Sequence, residues 1–415
     1  MSWRDCITAR LKPVPDSSRV RDHPLEALRG VCALLVFVAH GFIAGPATDP
    51  VYAPPANFWW LNLGLPAVLM FFVLSGYVIG LTTREPFGQR TATRYLSRRA
   101  LRLLPVTYAA IALAWLFHPA TQLHTILGNA FFLQNTDPYP GVHWHFPLLE
   151  NNGALWTLNY EMLYYLLFIV LWWKTPPAAA VFGFVLSIPI ARALGFPVSV
   201  VIGRYACGAC YWLAGLSVAW LTVPTLTASP RSHWPSALLG AYAIWHLGEV
   251  QTFIYDTRLY SLLDSSVVSL HRLDFIPVCL WCLLAVTGRA IGLEKKLAVG
   301  CLLWGWIGFA RSLFLENVEG LLGVTGGALL VASVLMRWKY SVSPLKCLAP
   351  LGGISFGVYA LASPIQIAQK RLFPEFSGTP FTFSVRLTLL LIFIIGVAWI
   401  VDYRFNRWVS ARLRK

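Results

Sequence analysis

Charge is what this chain has least of: Asp, Glu, Lys and Arg make up 12% of its 415 residues. A soluble globular chain carries about 25%. With 57% apolar residues and a mean hydropathy of +0.61, that shortage excludes a water-soluble domain and gives an integral membrane protein. Acids are scarcer than bases, 18 against 33, for a net charge of +15. Such an excess could serve nucleic acid, but its placement argues otherwise, because Lys and Arg gather in alternate loops. Short alternating strands are also missing. Long apolar segments punctuated by short charged loops argue for helices and against a barrel.

Twelve candidate spans approach the length of about 20 residues that a bilayer core requires. They lie near 30–46, 58–82, 103–118, 154–173, 178–196, 202–222, 236–254, 275–291, 297–315, 318–336, 350–368 and 383–403. The expected fold is an all-α polytopic transmembrane helical bundle of 10 to 12 spans. Basic residues crowd the first 29 positions, the loop Arg84 to Arg102, Lys295 with Lys296, Arg337 to Lys346, and Arg404 onward. The loops near 47–57, 135–153 and 316–319 hold almost none. The positive-inside rule then places both termini in the cytoplasm. Residues 1–24 read as a basic cytoplasmic tail, 25–405 as the transmembrane domain and 406–415 as a second basic tail. The N-terminal stretch has no apolar run of the signal-peptide kind, and the two halves show no convincing repeat.

Metal chemistry has little to stand on. Cys207 with Cys210 and Cys279 with Cys282 have the spacing of zinc or redox pairs, but no His, Asp or Glu lies nearby to complete a site. They read as small buried hydrophobes. His143 and His145 are a weak metal signal in a loop whose Trp144, Asp137, Glu150, Asn151 and Asn152 would also suit a sugar, or an ordinary membrane interface.

Four elements could carry chemistry. Arg29 and His40 are eleven positions apart, which on an α-helix is about 20° past three turns and about 16 Å of rise. A cation and an imidazole then share one face; ionisable groups inside a span usually face a polar pathway, though His40 could also be a packing histidine. Ser75 with Gly76 sits in an apolar run, where such a pair serves helix packing or at most touches a ligand. Arg98, Arg99 and Arg102 enter the third span, with Arg99 and Arg102 on one face. The guanidinium fork suits a phosphorylated ligand, the alternative being membrane anchoring. Glu161 falls inside an otherwise apolar helix, entering from the outer side to a depth like that of His40. It either supports an imidazole base or locks helices together.

Leu25 to His40, Phe71 to Gly76, the Arg98, Arg99 and Arg102 cluster, and Trp156 to Glu161, with Leu351 to Tyr359 near the end, resemble in their order the acyltransferase 3 family of multi-pass membrane acyltransferases. The resemblance covers essentially the whole chain. It implies transfer of an acyl group, usually acetyl from acetyl-CoA, to a hydroxyl of a carbohydrate or other acceptor, in a bacterial cytoplasmic membrane. No permanently bound cofactor and no metal is expected; acyl-CoA is a co-substrate. The resemblance makes His40 the catalytic residue and Arg29 with Arg98, Arg99 and Arg102 essential for function; the reading of the residues adds Glu161 as the partner of His40, the arginines on the phosphates of the donor, and Ser75 as at most a contact to that ligand. It also implies a typical core of ten helices and the form without a fused esterase-like domain. Two departures stand out: Ala362 stands where the family's late Tyr-Leu-x-His-x-Pro pattern has histidine, and the closing Glu-x-Pro-like element is missing. The rival reading is a transporter or flippase for an anionic lipid or glycan.

Overall fold

In the computed structural model the described residues are 22–43, 48–83, 85–135, 146–149, 152–176, 178–193, 196, 198–221, 229–247, 273–289, 292, 294–314, 319–405 and 408. The basic stretches 1–21 and 409–415, and His143, Trp144, His145, Asp137, Glu150 and Asn151 of the outer loop, lie outside them.

The described chain is almost wholly helical. Its α-helices are α1 His23–Val38, α2 Gly64–Thr82, α3 Gln89–Phe117, α4 Leu123–Ala130, α5 Trp156–Lys174, α6 Ala178–Ala193 and α7 Val200–Leu221. They continue as α8 Trp234–Leu247, α9 Ile276–Thr287, α10 Glu294–Ser312, α11 Glu319–Leu335, α12 Ala349–Gly353, α13 Ser355–Leu372 and α14 Pro380–Ala398. Two short β-pairs tie loops together: Gln134–Asn135 with Phe146–Pro147, and Arg231–Ser232 with Tyr340–Ser341.

Five helical segments are long and apolar enough to cross a membrane: His23–Phe42, Gly64–Thr82, Gln89–Phe117, Gly153–Lys174 and Pro380–Phe405. A sixth would be the pair Ser343–Gly353 and Ser355–Leu372, bent by 58°. Ala180–Arg192, Leu273–Thr287 and Gly320–Leu335 are shorter apolar helices. Each of the twelve expected stretches therefore meets a helix, while five or six pass the spanning test among the described residues. Large apolar side chains such as Leu389, Ile392 and Phe393 of α14 are exposed, as expected of a face that meets lipid tails.

The chain divides into two compact units. One comprises Met1–Leu28, Leu69–Pro86 and Leu171–Cys347; the other comprises Arg29–Val68, Phe87–Val170 and Leu348–Lys415. In the first, α8 packs against α9, α10 and α11. There the Ser75–Gly76 pair of α2 meets α7 at backbone contact, since a Cβ on Gly76 would fall 1.9 Å from the Trp212 carbonyl oxygen. Small residues let apolar helices approach this closely. In the second unit α13 packs between α3 and α14. That unit holds every expected site residue except Ser75.

Candidate active site

The expectation that Arg29 and His40 share one helical face rests on an unbroken α-helix. The structure corrects it: α1 ends at Val38 and Ala39–Ile43 form a π-helical turn. A π turn pairs residues five apart and turns less per residue, so the α-helical angle no longer applies at His40. Arg29 is buried, 7% exposed, beside Gly30, which lies against Leu348 and Gly352. His40 is exposed.

A helix end leaves carbonyls without intrahelical partners, and within a membrane water cannot supply them. Two polar side chains do so here. Gln366 of α13 donates from Nε2 to the His40 carbonyl at 3.1 Å and to Thr48 Oγ at 2.8 Å. Thr48 in turn donates to the carbonyl of Gly41. Arg386 of α14, 1% exposed, donates to the carbonyls of Thr48, Phe373 and Phe376. Asp49 accepts from the backbone N–H groups of Val51, Tyr52 and Gly378 and from the Thr382 hydroxyl. Burial pushes its carboxyl up, but these hydrogen bonds outweigh it and hold Asp49 below the usual carboxylate value. The segment around His40 is thus clamped to α13 and α14.

A second cluster joins α3 to α5. The guanidinium of Arg99 lies over the rings of Tyr95 and Tyr165, each 5.4 Å away, an arrangement worth roughly 1–2 kcal/mol when desolvated. Tyr165 donates its hydroxyl to Glu161 one helical turn back. The charge of Arg102 acts on that same phenol, and the charge of Glu161 reaches Tyr95 and Tyr359. Tyr359 donates to the Ala154 carbonyl at 2.6 Å and accepts from Thr157 at 3.0 Å. The structure therefore brings Arg99, Arg102 and Glu161 together through tyrosines. Arg98 is exposed. Among the described residues no hydrogen bond or ion pair joins Glu161 to His40.

Another polar contact follows from proline chemistry. Pro364 has no N–H to offer the carbonyl of Ala360. Asn152 fills the gap, its Nδ2 donating to that carbonyl at 2.9 Å. The late segment in which Ala362 stands is thereby pinned to the residue just before the turn that opens α5.

Gln366, Thr48, Asp49, Arg386 and Tyr95 were missed by reading the sequence. For Gln366 and Arg386 a signal existed: each is a strongly polar residue within an apolar helix. The paired cysteines of α7 and α9 are buried and form no disulfide, and no metal-binding group of His, Cys, Asp or Glu occurs among the described residues.

Comparison with known proteins adds three findings. A family described as "Acyltransferase domain" matches residues 22–403. The exopolysaccharide production protein ExoZ of Rhizobium meliloti (strain 1021) is 30% identical over 154 residues, which cover 34% of this chain and 45% of that protein. The chain thus matches less than half of the length of this curated relative. No solved structure matches.

Proposed function

The chain belongs to the acyltransferase 3 family, and from that premise we propose that it moves an acyl group, acetyl from acetyl-CoA, to a hydroxyl of a glycan in or at a bacterial cytoplasmic membrane. The observation that carries the reading is that one compact unit holds both the cationic cluster of α3 and His40, whose backbone is fixed by Gln366 and Thr48. A relative named for exopolysaccharide production supports a polysaccharide acceptor. In this reading the chain crosses the membrane 10 to 12 times with both termini in the cytoplasm. Its partners are then an acyl-CoA donor and a glycan acceptor.

Arg98, Arg99 and Arg102 meet the phosphates of the donor, Arg98 from its exposed position and Arg102 from the edge of the tyrosine cluster. Arg29 adds positive charge from within α1. The thioester carbonyl is set against His40. There the imidazole takes the proton of the acceptor hydroxyl while the C–O bond forms, the C–S bond breaks, and the proton passes to the leaving thiolate. The variant in which His40 itself carries the acyl group is chemically equivalent in its balance. Glu161 acts on this site as the anion that keeps Tyr165 and Arg99 in place. Ser75 serves as a helix-packing residue in this account.

The test uses purified protein, labelled acetyl-CoA and a glycan acceptor. His40→Ala is expected to lower transfer by about 10²- to 10⁴-fold, the usual worth of an acid/base group, with folding unchanged. Transfer at the parent rate refutes the assignment. Release of coenzyme A thiol separates this reaction from transport, which liberates none.

A further inference from the structure

The unit that contains α8 to α11 holds an open cavity of about 100 Å³, which shares no residue with those discussed so far as candidates for acyl transfer. Its floor is apolar, with Trp281, Leu284 and Ala298, and its rim is basic, with Arg231, Lys295 and Lys339. None of these three cations forms an ion pair with a described residue, whereas the neighbouring Arg289 is committed to Asp22 at 2.7 Å. The one acid on the wall, Glu294, is itself engaged. Ser232 lines the cavity at 7% exposure, and its Oγ has no hydrogen-bond partner. Leaving such a hydroxyl unpaired costs roughly 1–3 kcal/mol, which a ligand oxygen in the cavity would offset.

The wall is held rigidly. Ser229 donates its N–H to Gly288 at 2.9 Å and its hydroxyl to Arg231 at 2.8 Å. Gly288 takes φ +63°, and a Cβ there would fall 2.4 Å from the Ser229 oxygen. His233 lies with Nδ1 3.0 Å from the Trp338 carbonyl. A carbonyl only accepts, so Nδ1 carries the proton. Burial, reinforced by the charges of Lys339 and Lys295 against that hydrogen bond, keeps His233 below its ordinary pKa, so the ring is neutral at pH 7 and the rim's charge comes from the three cations. Preorganised donors around a dry floor suit a compact anion that carries an apolar portion.

We infer that this cavity binds a phosphate group, with Ser232 Oγ donating to one oxygen and Arg231, Lys295 and Lys339 neutralising the charge. Two sources share that chemistry, the headgroup of an anionic phospholipid and a soluble phosphate ester. The apolar floor accommodates the part of either molecule next to its phosphate. The inference does not depend on the acyl-transfer reading, since no residue is shared.

The full-length chain in detergent would be analysed in two arms. Native mass spectrometry would count retained lipid after exchange with phosphatidylglycerol or phosphatidylcholine, and equilibrium dialysis would follow labelled pyrophosphate. One saturable site in either arm, selective for phosphatidylglycerol in the first, supports the inference, and the arm that responds identifies the source. The double variant Lys295→Gln with Lys339→Gln is expected to weaken binding by about tenfold or more, as charge-assisted hydrogen bonds are lost. Ser232→Ala, which leaves the fold and every charge intact, is expected to weaken it several-fold. Lys296→Gln, beside the cavity but outside its lining, should leave it unchanged. Absence of binding in both arms, or binding indifferent to Ser232→Ala and to the double variant, overturns the inference.

Discussion

Gln366→Met removes one pair of hydrogen bonds and little else. Methionine keeps the length of the side chain and suits an apolar interior. The parent amide donates to the His40 carbonyl at 3.1 Å and to Thr48 at 2.8 Å. Thr48 loses little, because its hydroxyl still donates to Gly41. The His40 carbonyl loses the donor that holds it within the π turn, and leaving a part-buried carbonyl unpaired costs up to about 1–3 kcal/mol. A turn relieved of that tether can recover its hydrogen bond by rewinding towards the α form, which swings the imidazole. A displacement of about 1 Å costs up to about 10²-fold in rate. The expected outcome is a kcat for transfer from labelled acetyl-CoA lowered by about 10- to 100-fold, with KM for the donor nearly unchanged. Thermal unfolding in detergent should fall modestly. An unchanged kcat in a variant that is measurably less stable would show that the π turn does not position His40, and an unchanged stability as well would refute the hydrogen-bond argument itself.

Three further outcomes follow from other parts of the structure. Arg99→Lys keeps the charge but loses the planar stack on Tyr95 and Tyr165; KM for acetyl-CoA should rise several-fold, and parent values for both kinetic constants would count against a donor-side role for the cluster. Asp49 has a depressed pKa, so its stabilisation is full above the unfolded value of about 3.9 and drains away as pH falls through the lower folded value. Asp49→Asn should therefore show less stability at neutral pH and a flatter decline in unfolding temperature below about pH 4, whereas parallel curves would mean that the Asp49 cage contributes no linkage. Gly76→Leu, whose Cβ would meet the Trp212 carbonyl at 1.9 Å, should cost folded yield outright, while Gly183→Ala, with nothing within 4 Å, should be neutral; equal yields would contradict the close approach of α2 and α7.

Apolar runs were legible because membrane insertion reads the same quantity that a hydropathy window does, so every expected stretch meets a helix. The breaks inside those runs were not legible in the same way. The expected span 58–82 is a 3₁₀ turn, Ala56–Leu61, followed by α2, and the expected span 350–368 bends by 58° between Gly353 and Ser355. In the other direction, α3 begins at Gln89, well before the apolar portion starts. Arg, Leu and Ala are good helix formers whatever their polarity, so the arginine-rich stretch winds as the start of a long helix. Hydropathy measures what a residue costs in lipid and is silent about where the backbone turns.

The site shows the same division at the level of single side chains. Within lipid every backbone carbonyl needs a donor, so each proline and each helix end inside a span creates a debt that a polar side chain must meet. That Pro364 strands the Ala360 carbonyl can be deduced from the sequence. That Asn152, more than two hundred residues earlier, supplies the donor cannot. Gln366 and Thr48 answer the π turn at His40 in the same manner. Polar residues in apolar helices thus fall into two kinds, those placed to meet reactants and those that repair the backbone under them. Sequence presents Gln366 and Glu161 alike, as one costly residue each. Only the pairing of donor with stranded carbonyl separates them: Gln366 ends on the His40 backbone, while Glu161 ends on the tyrosine that faces Arg99. Gln366 thus holds the backbone that carries the imidazole, while Glu161 belongs to the tyrosine and arginine cluster of α3 and α5.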